Sequence, residues 1–106
     1  MSTTIEDLIP VLWEKTKAGK IMWEALSGPS FIARVNTIGV EVLHTREGFA
    51  RMSLRDEQGR LLESIDIEQL ASPLDRKLDE LYDMARRQAL KVDDVLGDVK
   101  AALDRL

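Results

Sequence analysis

The chain has no cysteine and only one histidine among its 106 residues. Without cysteine it can form no disulfide scaffold, no thiolate zinc site and no cysteine nucleophile. The single histidine, His44, has no partner in the sequence with which to act as a general base. We therefore expect no metal, no cofactor and no enzymatic activity.

Long apolar runs are also missing, whereas a membrane-spanning helix needs about 20 consecutive apolar residues. The first ten residues, MSTTIEDLIP, carry acidic groups where a signal peptide needs basic ones. The net charge is −4 and no segment is basic, so the sequence offers no stripe for a nucleic-acid backbone. We expect a cytoplasmic protein that binds neither nucleic acid nor membrane.

What the chain does have is the composition of a folded protein, 44% hydrophobic and 32% charged. Its length suits one domain, which we take as residues 1–106. The apolar pattern predicts an α+β fold. We expect an N-terminal helix, then an antiparallel meander of four to five strands, then one or two C-terminal helices.

The first helix is predicted between about residues 4 and 17, where apolar residues recur at helical spacing. Thr4 and Asp7 have the spacing of a capping box. Pro10 conflicts with a helix interior, because it lacks an N–H and clashes with the preceding turn. We therefore expect the regular helix to begin near Asp7, which places Pro10 in its first turn.

The meander is predicted from alternating apolar residues and from two turns that end in Gly48 and Gly59, where glycine readily adopts positive φ. In the resulting register Val42 lies opposite Met52 on an apolar face. The same register places three apolar residues of the last strand on the other face: Leu61, Ile65 and Ile67. Either that turn is wrong by one residue, or both faces are apolar and need covers. The predicted strands lie near residues 20–26, 31–36, 38–45, 49–56 and 60–67.

Helical signals return at Ser72, with Pro73 suited to the first turn and Asp75 completing a capping box. The apolar stripe continues toward Leu103, but Gly97 weakens it, and Asp93 or Asp94 can cap a new helix. One bent helix and two shorter helices are both compatible with this pattern. We favour two.

Four further side chains are candidate interface anchors. Trp13 and Trp23 supply much of the aromatic surface, and tryptophan is enriched both in cores and in interfaces. Arg86 and Arg87 are of a type favoured at interfaces, although pairing with acids three or four residues away explains them equally well.

The order of helix, meander and helix, with the junction KTKAGKIMWEAL and a Leu/Arg-rich closing helix, resembles small uncharacterised bacterial proteins of about this size. The resemblance implies a cytosolic bacterial protein and no particular activity.

These observations favour a protein-interaction or assembly module whose partner is another protein, above all a second copy of the chain. Such a homodimer would bury Leu61, Ile65 and Ile67, or the terminal helix around Val95 and Val99. The alternative is a small-ligand or nucleotide-signal binding protein. Its pocket would lie between sheet and helix near the tryptophans, with Arg34, Arg51 or Arg55 meeting an anion.

Overall fold

The protein is described by a computed structural model that covers residues 2–106. It has the predicted α+β arrangement: a helix, a five-stranded antiparallel sheet in the order β1-β2-β3-β4-β5, and two C-terminal helices. A short 3-10 turn, Ile67–Gln69, links sheet and helix. The elements are α1 Ile5–Lys17, β1 Glu24–Ala25, β2 Ser30–Val35, β3 Ile38–His44, β4 Ala50–Arg55, β5 Leu61–Asp66, α2 Ser72–Ala89 and α3 Val92–Asp104.

Helix α1 begins at Ile5, two residues before the predicted start. The capping box fixes this start, and within it the Thr4 backbone N–H donates to the Asp7 carboxylate at 2.9 Å. Pro10 consequently lies inside the helix, so the expectation that it would fall in the first turn is wrong. Lacking an N–H, Pro10 leaves the Glu6 carbonyl without its usual intrahelical donor.

The two glycine turns are as predicted. Gly48 and Gly59 have φ of 87° and 80°, a left-handed conformation that glycine adopts without steric cost. The adjoining strands close with backbone hydrogen bonds from Thr45 to Phe49 (2.8 Å) and from Asp56 to Arg60 (3.0 Å).

The last hairpin contains a β-bulge that the sequence pattern did not reveal. After the turn, Arg55 pairs with Leu61, but Leu54 pairs with Glu63 and Met52 with Ile65. The extra residue shifts the register by one, which moves Ile65 to the same face as Met52. The predicted register of β5 against β4 was therefore wrong by one residue, although the position of the turn was correct.

Both α1 and α2 pack on this single apolar face. The fully buried side chains come from both helices and from the central strands, so α2 contributes the middle of the core. The largest of them are Ile9, Val42, Met52, Leu78 and Leu81.

The opposite face of the sheet is largely polar and ionic. Arg55 donates to the Glu41 carboxylate at 3.0 Å, and Arg51 forms a two-pronged ion pair with Asp66. Ser53 is buried between these pairs. This face does not need a second apolar cover, which corrects the expectation of a sheet apolar on both sides.

Helix α3 extends from this body. Lys91, in a left-handed conformation (φ 53°), separates it from α2, and every residue from Asp93 to Leu106 is exposed. The molecule measures 59 × 31 × 28 Å with a radius of gyration of 15.2 Å. A compact chain of this length would have about 13 Å, and the projecting helix accounts for the excess.

The Arg51–Asp66 pair gives a pH-dependent prediction. The Arg51 hydrogen bond holds the pKa of Asp66 below its usual value, so the stabilisation is present above the unfolded-state pKa of about 3.9 and is lost as pH falls through the lower folded-state value. Asp66→Asn should lower the free energy of unfolding at pH 7 by at most about 1 kcal/mol, because the pair is partly exposed. The difference in the free energy of unfolding between this variant and the wild type, measured by urea titration, should be smaller at pH 3 than at pH 7.

The matched control is Asp104→Asn, which removes an exposed carboxylate paired with Lys100 and should leave stability unchanged. An equal loss for Asp66→Asn at pH 7 and pH 3 would show that charge on Asp66 does not contribute.

Candidate functional site

One side of α3 is an exposed apolar surface. Its members recur on one side of the helix and are each at least half exposed. No described part of the chain covers them, and α3 packs mainly on the end of α2. Contiguous exposed apolar surface of this kind marks interaction sites. We call it the α3 stripe: Val95, Leu96, Val99 and Leu103.

The polar side of α3 is mainly acidic. Arg87 on α2 pairs with Asp93 at 3.0 Å, and Lys100 pairs with Asp104 at 3.0 Å. Among the described residues, Asp94 and Asp98 form no ion pair. By helical spacing Asp98 flanks the apolar side of α3, whereas Asp94 lies on the opposite side of the helix.

A second feature is an open cleft of about 1000 Å³ between α1, the linker to β1, and the tip of the β2–β3 hairpin. Its wall is mostly apolar, and three of its side chains are substantially exposed: Val11, Met22 and Val35. We call it the α1–hairpin cleft. Its apolar lining also includes Leu8, Leu12, Ile21, Ile32, Ile38, Val40 and Leu54.

Three cations line this cleft: Lys15 on α1, Lys20 in the linker and Arg34 on β2. None forms an ion pair with a described residue. Glu24 is the one acidic group in the lining. The cleft is thus locally positive on a chain whose net charge is −4.

Sequence reasoning named Arg34 but missed Lys15 and Lys20 as parts of a site. A signal was available for Lys15, since no acid lies three or four residues from it on α1 and it has no helical ion-pair partner. Its proximity to Arg34 depends on the packing of α1 against the hairpin, which no local pattern encodes.

Gln88, near the end of α2, fixes one edge of the cleft. Its side-chain amide donates to the Ile21 carbonyl at 3.0 Å and accepts from the Trp23 backbone N–H at 2.6 Å. This bridge diverts the backbone from strand pairing. It explains why β1 contains only Glu24–Ala25 rather than the predicted 20–26.

The tryptophans are held within the chain. Trp23 is 3% exposed and its indole N–H donates to the Thr16 hydroxyl at 3.0 Å, so it belongs to the core and is not accessible as a surface anchor. Trp13 is half-buried and donates to Glu80 on α2 at 2.8 Å. Neither lines the α1–hairpin cleft.

The other interface candidates are scattered. Ile65 is buried in the core because of the bulge, and Ile67 is half-buried at the 3-10 turn, whereas Leu61 is 55% exposed on the polar face. Of the nine candidates, Val95 and Val99 alone belong to the α3 stripe.

The two arginine candidates have local partners. Arg86 pairs with Asp83 at 3.0 Å, the helical spacing proposed from the sequence, and Arg87 reaches Asp93 on α3. Arg51 and Arg55, named for the alternative anion site, are committed to Asp66 and Glu41 on the far face of the sheet.

His44 lies in a small polar pocket beside α2. Its ring stacks on Tyr82 with centroids 3.8 Å apart, and its Nε2 lies 3.7 Å from the Asp79 carboxylate. Burial raises the pKa of the Tyr82 hydroxyl, opposed by Arg86 and reinforced by Asp83. The pocket joins β3 to α2, because His44 of β3 contacts Tyr82 and Asp79 of α2 there.

Within residues 2–106, no group of three or more histidine, cysteine, aspartate or glutamate side chains is arranged to hold a metal ion. No helix in this range is long and apolar enough to cross a bilayer.

Removing the Gln88 bridge should loosen the cleft edge. Gln88→Ala leaves the Trp23 N–H and the Ile21 carbonyl without protein partners, which should cost about 1–3 kcal/mol in the free energy of unfolding. Amide exchange at Trp23 should accelerate. The control, Gln58→Ala in the exposed turn before Gly59, should change neither quantity, and unchanged exchange at Trp23 in the Gln88 variant would contradict the assignment.

Comparison with known proteins finds no matching family model, no matching curated protein and no matching solved structure. The case for function therefore depends on the geometry and charge of the α3 stripe and the α1–hairpin cleft.

Proposed function

We propose that this chain is a small assembly module that associates with a second copy of itself through α3. The observation that carries the proposal is the α3 stripe, an apolar surface on a helix that leaves the body of the fold. Fully burying one such valine or leucine side chain contributes roughly 1.5–3 kcal/mol. A monomer forgoes that stabilisation at every position of the stripe.

The charges of α3 favour a protein over a lipid surface. Helices that lie on membranes carry lysine and arginine on their polar side, attracted to anionic headgroups. Asp93, Asp94 and Asp98 instead make the first half of α3 acidic. Such a helix is repelled by an anionic bilayer and is complementary to a protein surface that presents cations.

Light scattering coupled to size exclusion tests the proposal. The full chain should be a dimer at micromolar concentration. Replacing Leu96 and Val99 together by glutamate should raise the dissociation constant at least about 100-fold, because each copy loses two buried apolar groups. Circular dichroism should remain unchanged, since both residues are exposed within the chain.

The matched control is Leu61→Glu, an equally exposed leucine on β5. It should leave the dimer intact. A monomeric wild type would refute self-association, and a dimer broken by Leu61→Glu but not by the α3 variant would assign the contact to the sheet.

A second candidate function is binding of a small amphipathic anion in the α1–hairpin cleft. The supporting observation is its apolar wall beside Lys15, Lys20 and Arg34. Pockets for small molecules combine apolar walls with a few polar groups in this way. The ligand class that fits is an aliphatic carboxylate.

Dodecanoate titration tests this second candidate. In a Trp13→Phe background the emission comes from Trp23 alone, whose neighbours Ile21 and Met22 line the cleft. Emission should shift saturably, and Arg34→Ala should weaken binding about tenfold by removing one charged contact. No saturable shift, or equal affinity in the Arg34 variant, would count against this function.

A further inference from the structure

We propose that the α3 stripe of one copy docks in the α1–hairpin cleft of a second copy, and that the two copies exchange their α3 helices reciprocally. This inference rests on the proposed self-association and names the surface that receives α3. The same chain carries both an uncovered apolar helix and an uncovered apolar cleft.

The apolar surfaces match in form. Helices that bind grooves present anchors three, four and seven residues apart, and Leu96, Val99 and Leu103 follow that spacing. The cleft, at about 1000 Å³, lies at the upper end of the range for small-molecule pockets, about 300–1,000 Å³. The 13 residues of α3 extend over about 20 Å.

The charges match as well. The cleft's Lys15, Lys20 and Arg34 have no ion-pair partner among the described residues, and neither do Asp94 and Asp98 on α3. By helical spacing, docking of the stripe brings Asp98, at its flank, toward these cations, whereas Asp94 lies on the opposite side of the helix. A parallel α3–α3 pair would place two acidic first halves side by side, and any α3–α3 pair would leave the cations of the cleft unused.

The connection between α2 and α3 places the start of α3 near the edge of the cleft. Gln88 binds the cleft edge at Ile21 and Trp23, and α3 begins four residues later at Val92. Each α3 therefore starts beside the cleft of its own chain, yet no α3 residue lines that cleft. In a two-fold pair each copy gives one helix and receives one, so both surfaces are satisfied and the assembly stops at two.

Cysteine cross-linking tests the contact directly, because the chain has no cysteine of its own. Val99→Cys on α3 and Val35→Cys in the cleft are prepared as separate variants, mixed, and treated with a short bis-maleimide. The main product should be a covalent dimer linking position 99 to position 35, identified by peptide mass spectrometry. The matched control pairs Val99→Cys with Leu62→Cys, an exposed leucine outside the cleft, and should give no linked dimer.

The outcomes separate the two proposals. A product linking position 99 to position 99 as the main species overturns docking in the cleft and leaves self-association standing. A wild-type monomer overturns both. If the 99–35 link forms within one chain carrying both cysteines, with no dimer present, α3 folds into its own cleft and the exchange is refuted.

Charge reversal gives an independent test by sedimentation. Lys20→Glu with Arg34→Glu in the cleft should raise the dissociation constant at least tenfold, and Asp98→Lys on α3 should raise it in the same direction. An equimolar mixture should recover wild-type affinity, because each reversed surface then meets its complement in both directions. A cleft variant that dimerises as tightly as wild type overturns the inference, since α3–α3 pairing would not sense the cleft.

Competition with dodecanoate gives a third test. If it binds the cleft, it should compete with α3 and dissociate the dimer. Saturable binding to an intact dimer would show that the cleft is open in the assembly, and that result overturns the exchange.

Discussion

The packing of α2 against a single apolar face of the sheet determines most of the remaining structure. Leu78 and Leu81 are completely buried there, in one core with Ile9 of α1 and with Met52 of the sheet. Helices α1 and α2 both pack on this face and bury most of its apolar surface. The opposite face carries the arginine–carboxylate pairs Arg51–Asp66 and Arg55–Glu41, so it offers a third helix mainly polar surface.

On its own chain, α3 packs mainly on the end of α2. Lys91 adopts a left-handed conformation, which costs a non-glycine residue roughly 1–2 kcal/mol, and it interrupts the helix just after Gln88 has bound the linker. The break ends α2 at Ala89, next to the Gln88 bridge, and α3 begins at Val92.

Much of this architecture follows from local sequence signals. Gly48 and Gly59 mark turns because their backbone requires positive φ, and Thr4 with Asp7 marks a helix start through reciprocal hydrogen bonds. The bulge at Leu54–Arg55 has no such signal, since it inserts an ordinary residue into an alternating strand. Because the bulge was not predicted, Ile65 was assigned to the face away from Met52, whereas it lies on the same face as Met52. The cleft was likewise hidden, because Lys15 of α1 and Arg34 of β2 line one cleft only in the folded chain.

Apolar contact and charge have different roles in the proposed exchange. The α3 stripe supplies most of the stabilisation, because burial of valine and leucine is roughly proportional to area and is not screened by salt. The pairing of Lys20 or Arg34 with Asp98 would be partly exposed, so it would contribute modestly to affinity but select the orientation of the helix and accelerate association. The dimer should therefore form more slowly at high ionic strength while its dissociation rate changes little, which is the kinetic pattern of an apolar contact guided by charge.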